Sequence, residues 1–418
     1  MRRLSRRERM RHRGRVAAAT LAGAVLVGGG TVAGLRISAT PPAPAVDVNA
    51  PASITPVPGP LTRVQQPPQG SLALLGNGQP LALLDADTPR PIASVAKAMT
   101  ALVVLRAHPL KDQFDEGPLL TMDAADVADY RAVLAEDGSS LPVVAGEHLT
   151  ERQLLLGLLL PSANNFADTL GRWTAGSVDG FVAQLNDAAQ QLGMSHTHFA
   201  DPSGFSPDTV SSAGDLVKLG GAVLQVPALA AIVATPSARL PDGTDLENLD
   251  SLLGSVPGWL GIKTGSTPQA GGCLLFAARR DVGSGAMVTM VGAVLAQTDL
   301  NAALDAARSA VESGYAGYGV VPASLPIDVN GQVTTRWGAQ SFVRAEPRNS
   351  TSFAVRQGTR IDLTMRLLPV EPGAPAGTRV AVVDGTVQGA GASMQWVVLL
   401  DDDLPGPSWW WRLLHAGG

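Results

Sequence analysis

The sequence predicts an α+β protein: an antiparallel sheet flanked by a helical cluster, followed by a small C-terminal β-rich domain. Three observations predict it. Apolar residues recur at helical spacing over Ser94–His108, and again from Leu141 to Gly193 with a break at Pro161. The period then shortens: Trp259–Thr264, Gly272–Arg279 and Ala286–Ala296 are strand-like runs separated by turn-rich pieces, as in a meander. Beyond Gly319 only short strand-like runs remain, at Ile327–Val333, Ser341–Arg344, Arg360–Leu367, Arg379–Val387 and Met394–Leu400.

The elements follow in order. Residues 1–15 hold eight arginines and one glutamate, and Val16–Leu35 is a charge-free run of 20 residues, long enough to cross a bilayer as a helix. Arginines before the run place residues 1–15 in the cytoplasm and the body outside. The run reads as a transmembrane signal anchor (16–35), or as a signal peptide whose small-x-small site is Ala43-Pro44-Ala45. Residues 37–70 contain nine prolines and almost no charge, so 36–70 is expected to be an extended linker. Ser71–Leu75 and Leu81–Leu84 flank Gly76-Asn77-Gly78, a hairpin signal. Ser94–His108, free of glycine and proline, is a core helix, and Ser212 is placed to cap the helix that begins near Leu216. Prolines 227 and 236 divide Leu219–Ala238 into two short buried segments rather than a second span. Asp299–Tyr315 returns to helix. The main domain is thus expected over 71–318 and the β-rich domain over 319–418, with Trp409-Trp-Trp411 in its last strand.

Composition excludes several classes. The chain has 418 residues, 45% of them apolar, which is too apolar for a disordered protein. One cysteine, Cys273, provides neither a disulfide nor a cysteine-rich zinc site, and it is expected to be a small buried hydrophobe. The formal net charge of −5 includes the arginine-rich head, so the remainder is more acidic still and has no nucleic-acid footprint. His196 and His198 lack the carboxylate context of a metal site, and neither a metal nor a cofactor is expected. Lysine is scarce: the only four are Lys97, Lys111, Lys218 and Lys263.

Two of those lysines lie in short motifs. Ser94-Val-Ala-Lys97, Ser162-Ala-Asn164 and Lys263-Thr264-Gly265 each occur once, in this order, at a helix start, a loop between helices and a strand. A serine hydroxyl needs a base within hydrogen-bond reach to become a nucleophile. Positions i and i+3 share a helix face, so the Lys97 amine can reach Ser94, and burial can strip its proton, which arginine would keep. At a helix start the Ser94 N–H is free to stabilise an oxyanion. Ser162 and Asn164, after Pro161, could relay a proton and hold a substrate carbonyl, while Lys263 and Thr264 could bind a carboxylate beside a strand edge. Taken singly, each motif has a plainer reading: Ser94 or Ser162 as a helix cap, Lys97 or Lys263 as a solvated side chain. Their coincidence is what points to one site.

With the surrounding text, Pro91–Thr100, Ser162–Asp168, Thr197–Phe205, Ser211–Leu216 and Gly261–Leu275, the chain resembles the D-alanyl-D-alanine carboxypeptidases of the low-molecular-mass penicillin-binding protein group. The resemblance covers about residues 70–318 and implies a β-lactamase/transpeptidase-like domain. It also implies an acyl-enzyme mechanism on peptidoglycan stem peptides, with β-lactams as covalent inhibitors. Ser94 would be the nucleophile, Lys97 its base and Ser162 the proton shuttle to the departing D-alanine. Asn164 would orient the substrate amide, and Lys263 and Thr264, followed by Gly265, would bind the terminal carboxylate. The N–H groups of Ser94 and Ser266 would form the oxyanion hole. The pattern departs at Ser266-Thr267, where an aromatic residue and threonine are usual, and at Val210-Ser211, where a histidine is common. Two other readings remain at this level: an idle penicillin-sensing or wall-binding module, and a β-lactamase, for which Glu247 is the sole glutamate between Ser162 and Lys263.

Overall fold

Leu275 and Phe276 are neighbours in sequence yet are buried in different cores. This is the two-residue period of a strand covered on both faces, and it explains why the central runs are apolar throughout rather than alternating. The computed structural model describes residues 6–387 and 393–415. The first five residues of the expected cytoplasmic segment 1–15 lie outside the described residues.

In chain order, α1 (Arg6–Ser38) precedes β1 (Ala45–Asn49) and β2 (Ser53–Ile54). The hairpin β3 (Ser71–Gly76) and β4 (Gln79–Leu84) turns at Asn77 and Gly78, both at positive φ, as the Asn-Gly signal requires. Then come β5 (Arg90–Pro91), a 3-10 turn over Ala93–Ala96, α2 (Lys97–Ala107), β6 (Leu119–Thr121) and α3 (Ala124–Ala135). They are followed by β7 (His148–Thr150), α4 (Glu151–Leu159), α5 (Asn164–Ala175), α6 (Val178–Gln191) and β8 (Val210–Ser211). Next are α7 (Ala213–Leu224), α8 (Pro227–Val233), β9 (Ser237–Arg239) and β10 (Asp245–Glu247). The meander β11 (Trp259–Thr267), β12 (Gly271–Asp281) and β13 (Met287–Gln297) leads to α9 (Leu300–Ala316). The remainder is β14 (Tyr318–Val321), β15 (Asn330–Thr334), β16 (Gln340–Pro347), β17 (Phe353–Arg356), β18 (Ile361–Leu367), β19 (Arg379–Val387), β20 (Ser393–Leu400) and α10 (Trp409–His415).

The chain divides into two units. One comprises Pro56–Pro322 and Thr351–Thr359. Its antiparallel sheet runs β11-β12-β13-β3-β4, with the helical cluster α2, α4, α5, α6 and α7 packed on one face and α9 on the other. Cys273, Leu275 and Ala277 face the cluster, whereas Leu274, Phe276 and Ala278 face α9. Ser212 caps α7 by accepting the Asp215 amide (3.1 Å), as expected. The apolar stretch after Leu219 is two helices bent by 112°, α7 and α8, with Pro227 opening the second.

The other unit takes residues up to Thr55, Ala323–Ser350 and Arg360 onward. Its seven strands run β1-β15-β16-β20-β19-β18-β2. Here the expected linker 36–70 is corrected. Ala45–Asn49 pairs with β15 and Ser53–Ile54 with β18, so the proline-rich segment supplies both outermost strands. Proline is tolerated beside edge strands, and the alternation Val46, Val48 gives β1 a side to bury. Only Ala50–Ala52 separates these two strands, and three residues span on the order of 10 Å, so the sheet must curl until its edges approach. Tyr318–Val321 and Phe353–Arg356, within the expected range 319–418 apart from Tyr318, pair with each other in the first unit instead. Trp409–Trp411 is helical, not a strand. Ser408 opens that turn, its Oγ accepting the Trp411 amide (3.2 Å) and its carbonyl the Arg412 amide (3.1 Å).

Candidate active site

Ser94 lies in the 3-10 turn that starts the α2 segment, whose N-cap is Ile92 with no side-chain cap. The serine is therefore not a helix cap. Its predecessor Ala93 has φ +47°, a strained left-handed value for a residue with a β-carbon, and this kink presents Ser94 at the end of the helix. One turn on, Lys97 is fully buried. Its Nζ lies 2.8 Å from Ser94 Oγ, 2.7 Å from Asn164 Oδ1 and 2.8 Å from the carbonyl oxygen of Ser203.

Those three partners determine what the amine can do. Two are carbonyl oxygens, which only accept; the third is a hydroxyl, which can donate. A neutral amine has two N–H bonds and one lone pair. With its hydrogens on Asn164 and Ser203, the lone pair faces the Ser94 hydroxyl. Burial, with Lys263 nearby, holds the Lys97 pKa well below the usual lysine value, although Asp201 and Asp168 oppose the shift.

Asn164 opens α5, and its amide nitrogen donates to the carbonyl of Ser139 (2.7 Å). Ser162 precedes it with φ +71° and is 2% exposed. The N-cap of α5 is Ala163, so Ser162 does not cap that helix either. Among the described residues its buried Oγ has no hydrogen-bond partner, a cost of about 1–3 kcal/mol that a substrate or a turned Lys97 would relieve.

Lys263, Thr264 and Gly265 lie on β11, an edge strand of the sheet. Lys263 is 2% exposed, and among the described residues its Nζ hydrogen-bonds only Thr264 Oγ1, at 3.4 Å. Burial, partly offset by Asp250, pushes its pKa down to about 7. Gly265 has a steric reason: a β-carbon there would lie 2.8 Å from the Ile92 carbonyl oxygen and 3.0 Å from the amide nitrogens of Ser94 and Val95. The strand backbone thus passes directly beside the Ser94 N–H. Ser266 follows on the exposed end. All three motifs therefore gather around Ser94.

Thr197–Phe205, part of the family resemblance, carries no side chain whose type marks a role at the site. Ser203 reaches Lys97 through a main-chain carbonyl, to which residue type is blind. The available signal was the turn text Asp201-Pro-Ser-Gly204. Gly204, at φ +76°, packs against the nucleophile's turn, since a β-carbon would lie 1.9 Å from the Ala93 carbonyl oxygen. Beside Asn164 opens a cavity of about 310 Å³ lined by Asp129, Glu136, Asp168, Asp201 and Phe205 among others. Burial, reinforced by Asp129, pushes the Asp168 carboxyl up to about 7.

Residues 75–293 match the family described as D-alanyl-D-alanine carboxypeptidase. The chain belongs to this family. Among curated carboxypeptidases of that name, the one from Streptomyces sp. (strain K15) is 32% identical over 257 residues, covering 58% of this chain and 84% of the relative. One from Mycobacterium tuberculosis is 38% identical over 215 residues, covering 50% and 69%. The crystal structure of the Streptomyces K15 DD-transpeptidase superposes with a TM-score of 0.53 at 31% identity, covering 60% of this chain and all of that one. The carboxypeptidase match contains every motif residue from Ser94 to Ser266 and stops before α9.

Proposed function

We propose that this protein is a serine-type D-alanyl-D-alanine carboxypeptidase that removes the terminal D-alanine from peptidoglycan stem peptides. The observation that carries the assignment to Ser94 is the buried Lys97 amine, held by two carbonyl acceptors with its remaining valence toward the Ser94 hydroxyl.

In this reading Ser94 Oγ attacks the carbonyl of the penultimate D-alanine while its proton passes to Lys97. The oxyanion forms against the N–H groups of Ser94 and Ser266. As the intermediate collapses, the proton travels from Lys97 through the Ser162 hydroxyl to the leaving nitrogen, and D-alanine departs. Ser162 turns toward Lys97 for this step, its hydroxyl being free of any hydrogen-bond partner among the described residues. Asn164 holds the substrate amide as well as the lysine. Lys263 and Thr264 take the terminal carboxylate, an anion that the buried ammonium does not pair with among the described residues. Water then cleaves the ester and regenerates Ser94.

β-Lactams offer the same carbonyl and carboxylate and acylate the same oxygen. Among the described residues no carboxylate hydrogen-bonds Ser94 or Lys97, and Glu247, the one glutamate between Ser162 and Lys263, is exposed on β10, so no glutamate is held at the nucleophile to hydrolyse a penicilloyl ester. This favours a penicillin-inhibited peptidase over a β-lactamase. The nucleophile–base pair has no purpose in an idle wall-binding module. α1 contains a 30-residue stretch, Arg9–Ser38, apolar and long enough to cross a membrane. In our reading it anchors the enzyme with residues 1–15 in the cytoplasm and the site on the wall side. Incubating the full chain with a pentapeptide ending in D-Ala-D-Ala tests the activity: stoichiometric release of D-alanine is expected, and none from Ser94→Ala.

A further inference from the structure

We propose that Asp201 is a positioning residue for the reaction, holding the Ser203 carbonyl against the Lys97 amine. The inference rests on Lys97 acting as the base for Ser94.

The loop from Ala200 to Thr209 is folded around the Asp201 carboxylate. Oδ2 accepts the Ser203 amide (3.1 Å), the Ser203 hydroxyl (2.6 Å) and the Phe205 amide (2.9 Å). Oδ1 accepts the hydroxyl of Thr209 (2.5 Å), which is fully buried and itself accepts the amides of Ala200 (3.0 Å) and Asp201 (3.2 Å). A carboxylate collecting several N–H and O–H donors fixes a loop more firmly than neutral pairs would, because charge-assisted bonds are about twice as strong. The flanks of the loop are held separately. Pro202 accepts the hydroxyl of Thr100 on α2 (2.6 Å), and Asn186 on α6 pairs with both the carbonyl (2.8 Å) and the amide (3.0 Å) of Phe199.

What Asp201 adds is the direction of one carbonyl. Ser203 takes one of the two N–H bonds of the neutral amine, and Asn164 takes the other. If the Ser203 carbonyl swings away, the amine is free to rotate and its lone pair no longer points at the Ser94 hydroxyl. The fold survives, because Thr100, Asn186 and Gly204 still pin the loop, but the base loses its aim. Asp201 has a second, electrostatic effect. Of the charged groups around Lys97, Asp201 and Asp168 on α5 favour the ammonium and Lys263 on β11 opposes it. Removing the Asp201 charge therefore lowers the pH at which Lys97 becomes available as a base.

The test is the second-order rate of acylation by a fluorescent penicillin, measured from pH 5 to 9 on the detergent-solubilised full chain, alongside Tm. Asp201→Ala is expected to slow acylation about 10- to 100-fold, the range that a loss of alignment costs, at an assay temperature well below its Tm. Asp201→Asn keeps an oxygen for the Ser203 and Phe205 amides, so it should recover most of the rate. Having lost the charge, it should also move the acid limb of the profile to lower pH. Wild-type rate and profile in Asp201→Ala, or an Asp201→Asn as slow as the alanine variant, overturns the proposal. Should Asp201→Ala fail to fold, Ser203→Ala, which loses only the hydroxyl link to Asp201, must slow acylation; a wild-type rate there overturns the proposal as well. If the wild-type chain is not acylated at Ser94, it is the reading of Ser94 and Lys97 that fails rather than the role of Asp201.

Discussion

The backbone of Gly265 runs against that of Ser94 so closely that a β-carbon at 265 would lie 3.0 Å from the Ser94 amide nitrogen. Strand β11 and the nucleophile's turn are therefore one construction. Gly265→Ala pushes on three main-chain atoms that cannot rotate away, those of Ile92, Ser94 and Val95. Overpacking of this kind costs about 1–3 kcal/mol. The expected outcome is a Tm a few degrees lower together with penicillin acylation slowed about 100-fold or more, since the displaced groups are the nucleophile and its oxyanion donor. Thermal melts and acylation rates on the same preparation check this; a variant that keeps the wild-type acylation rate contradicts the packing argument.

Lys263 leads to the opposite stability outcome. It is a buried cation whose only hydrogen-bond partner among the described residues is a neighbouring hydroxyl. Replacing such a group by an apolar side chain of similar length removes the cost of holding an ammonium away from water. Lys263→Met is expected to melt at or above the wild-type temperature while KM for a D-Ala-D-Ala peptide rises steeply. Calorimetry and steady-state kinetics together check it, and a large loss of stability contradicts it, showing that the attraction of Asp250 outweighs the cost of burying Lys263.

The two lysines also set opposing pH limbs. Lys97 must be neutral, so activity rises with pH through its lowered pKa. Lys263 must be charged to hold a carboxylate, so substrate capture falls as pH climbs through about 7 in the free enzyme. Because kcat/KM reports the free enzyme and kcat the complex, kcat/KM should decline above neutrality while kcat declines only at a higher pH, because the bound carboxylate keeps Lys263 protonated past neutrality. A kcat/KM that stays flat from pH 7 to 9 contradicts this assignment.

Much of the site was legible because its chemistry resides in side chains. Ser94, Lys97, Asn164 and Lys263 announce themselves by residue type and spacing, and Cys273 proved as buried as its apolar neighbourhood implied. What escaped reading resides in the backbone. The Ser203 carbonyl, the positive φ of Ala93 and Ser162, and the approach of Gly265 leave little or no mark in residue type. The meander was plain because β12 and β13 are largely apolar on both faces and turn-rich pieces separate the strands. The strands Ala45–Asn49 and Ser53–Ile54 were hidden by the prolines around them, which describe a linker unless a sheet edge elsewhere in the chain needs covering. Trp409–Trp411 suggested a strand by its aromatic content, whereas local capping by Ser408 makes it a helix.

The central claim is that Ser94 is the nucleophile and Lys97 its base. Mass spectrometry of the full chain after brief exposure to benzylpenicillin, followed by peptide mapping, tests it most directly when wild type, Ser94→Ala and Lys97→Met are compared. The account predicts one penicilloyl group on the peptide that contains Ser94 in the wild type and no adduct in Ser94→Ala. In Lys97→Met it predicts an adduct that forms about 100- to 10,000-fold more slowly, the usual contribution of a general base. An adduct on another residue, or wild-type acylation kinetics in either variant, would contradict it.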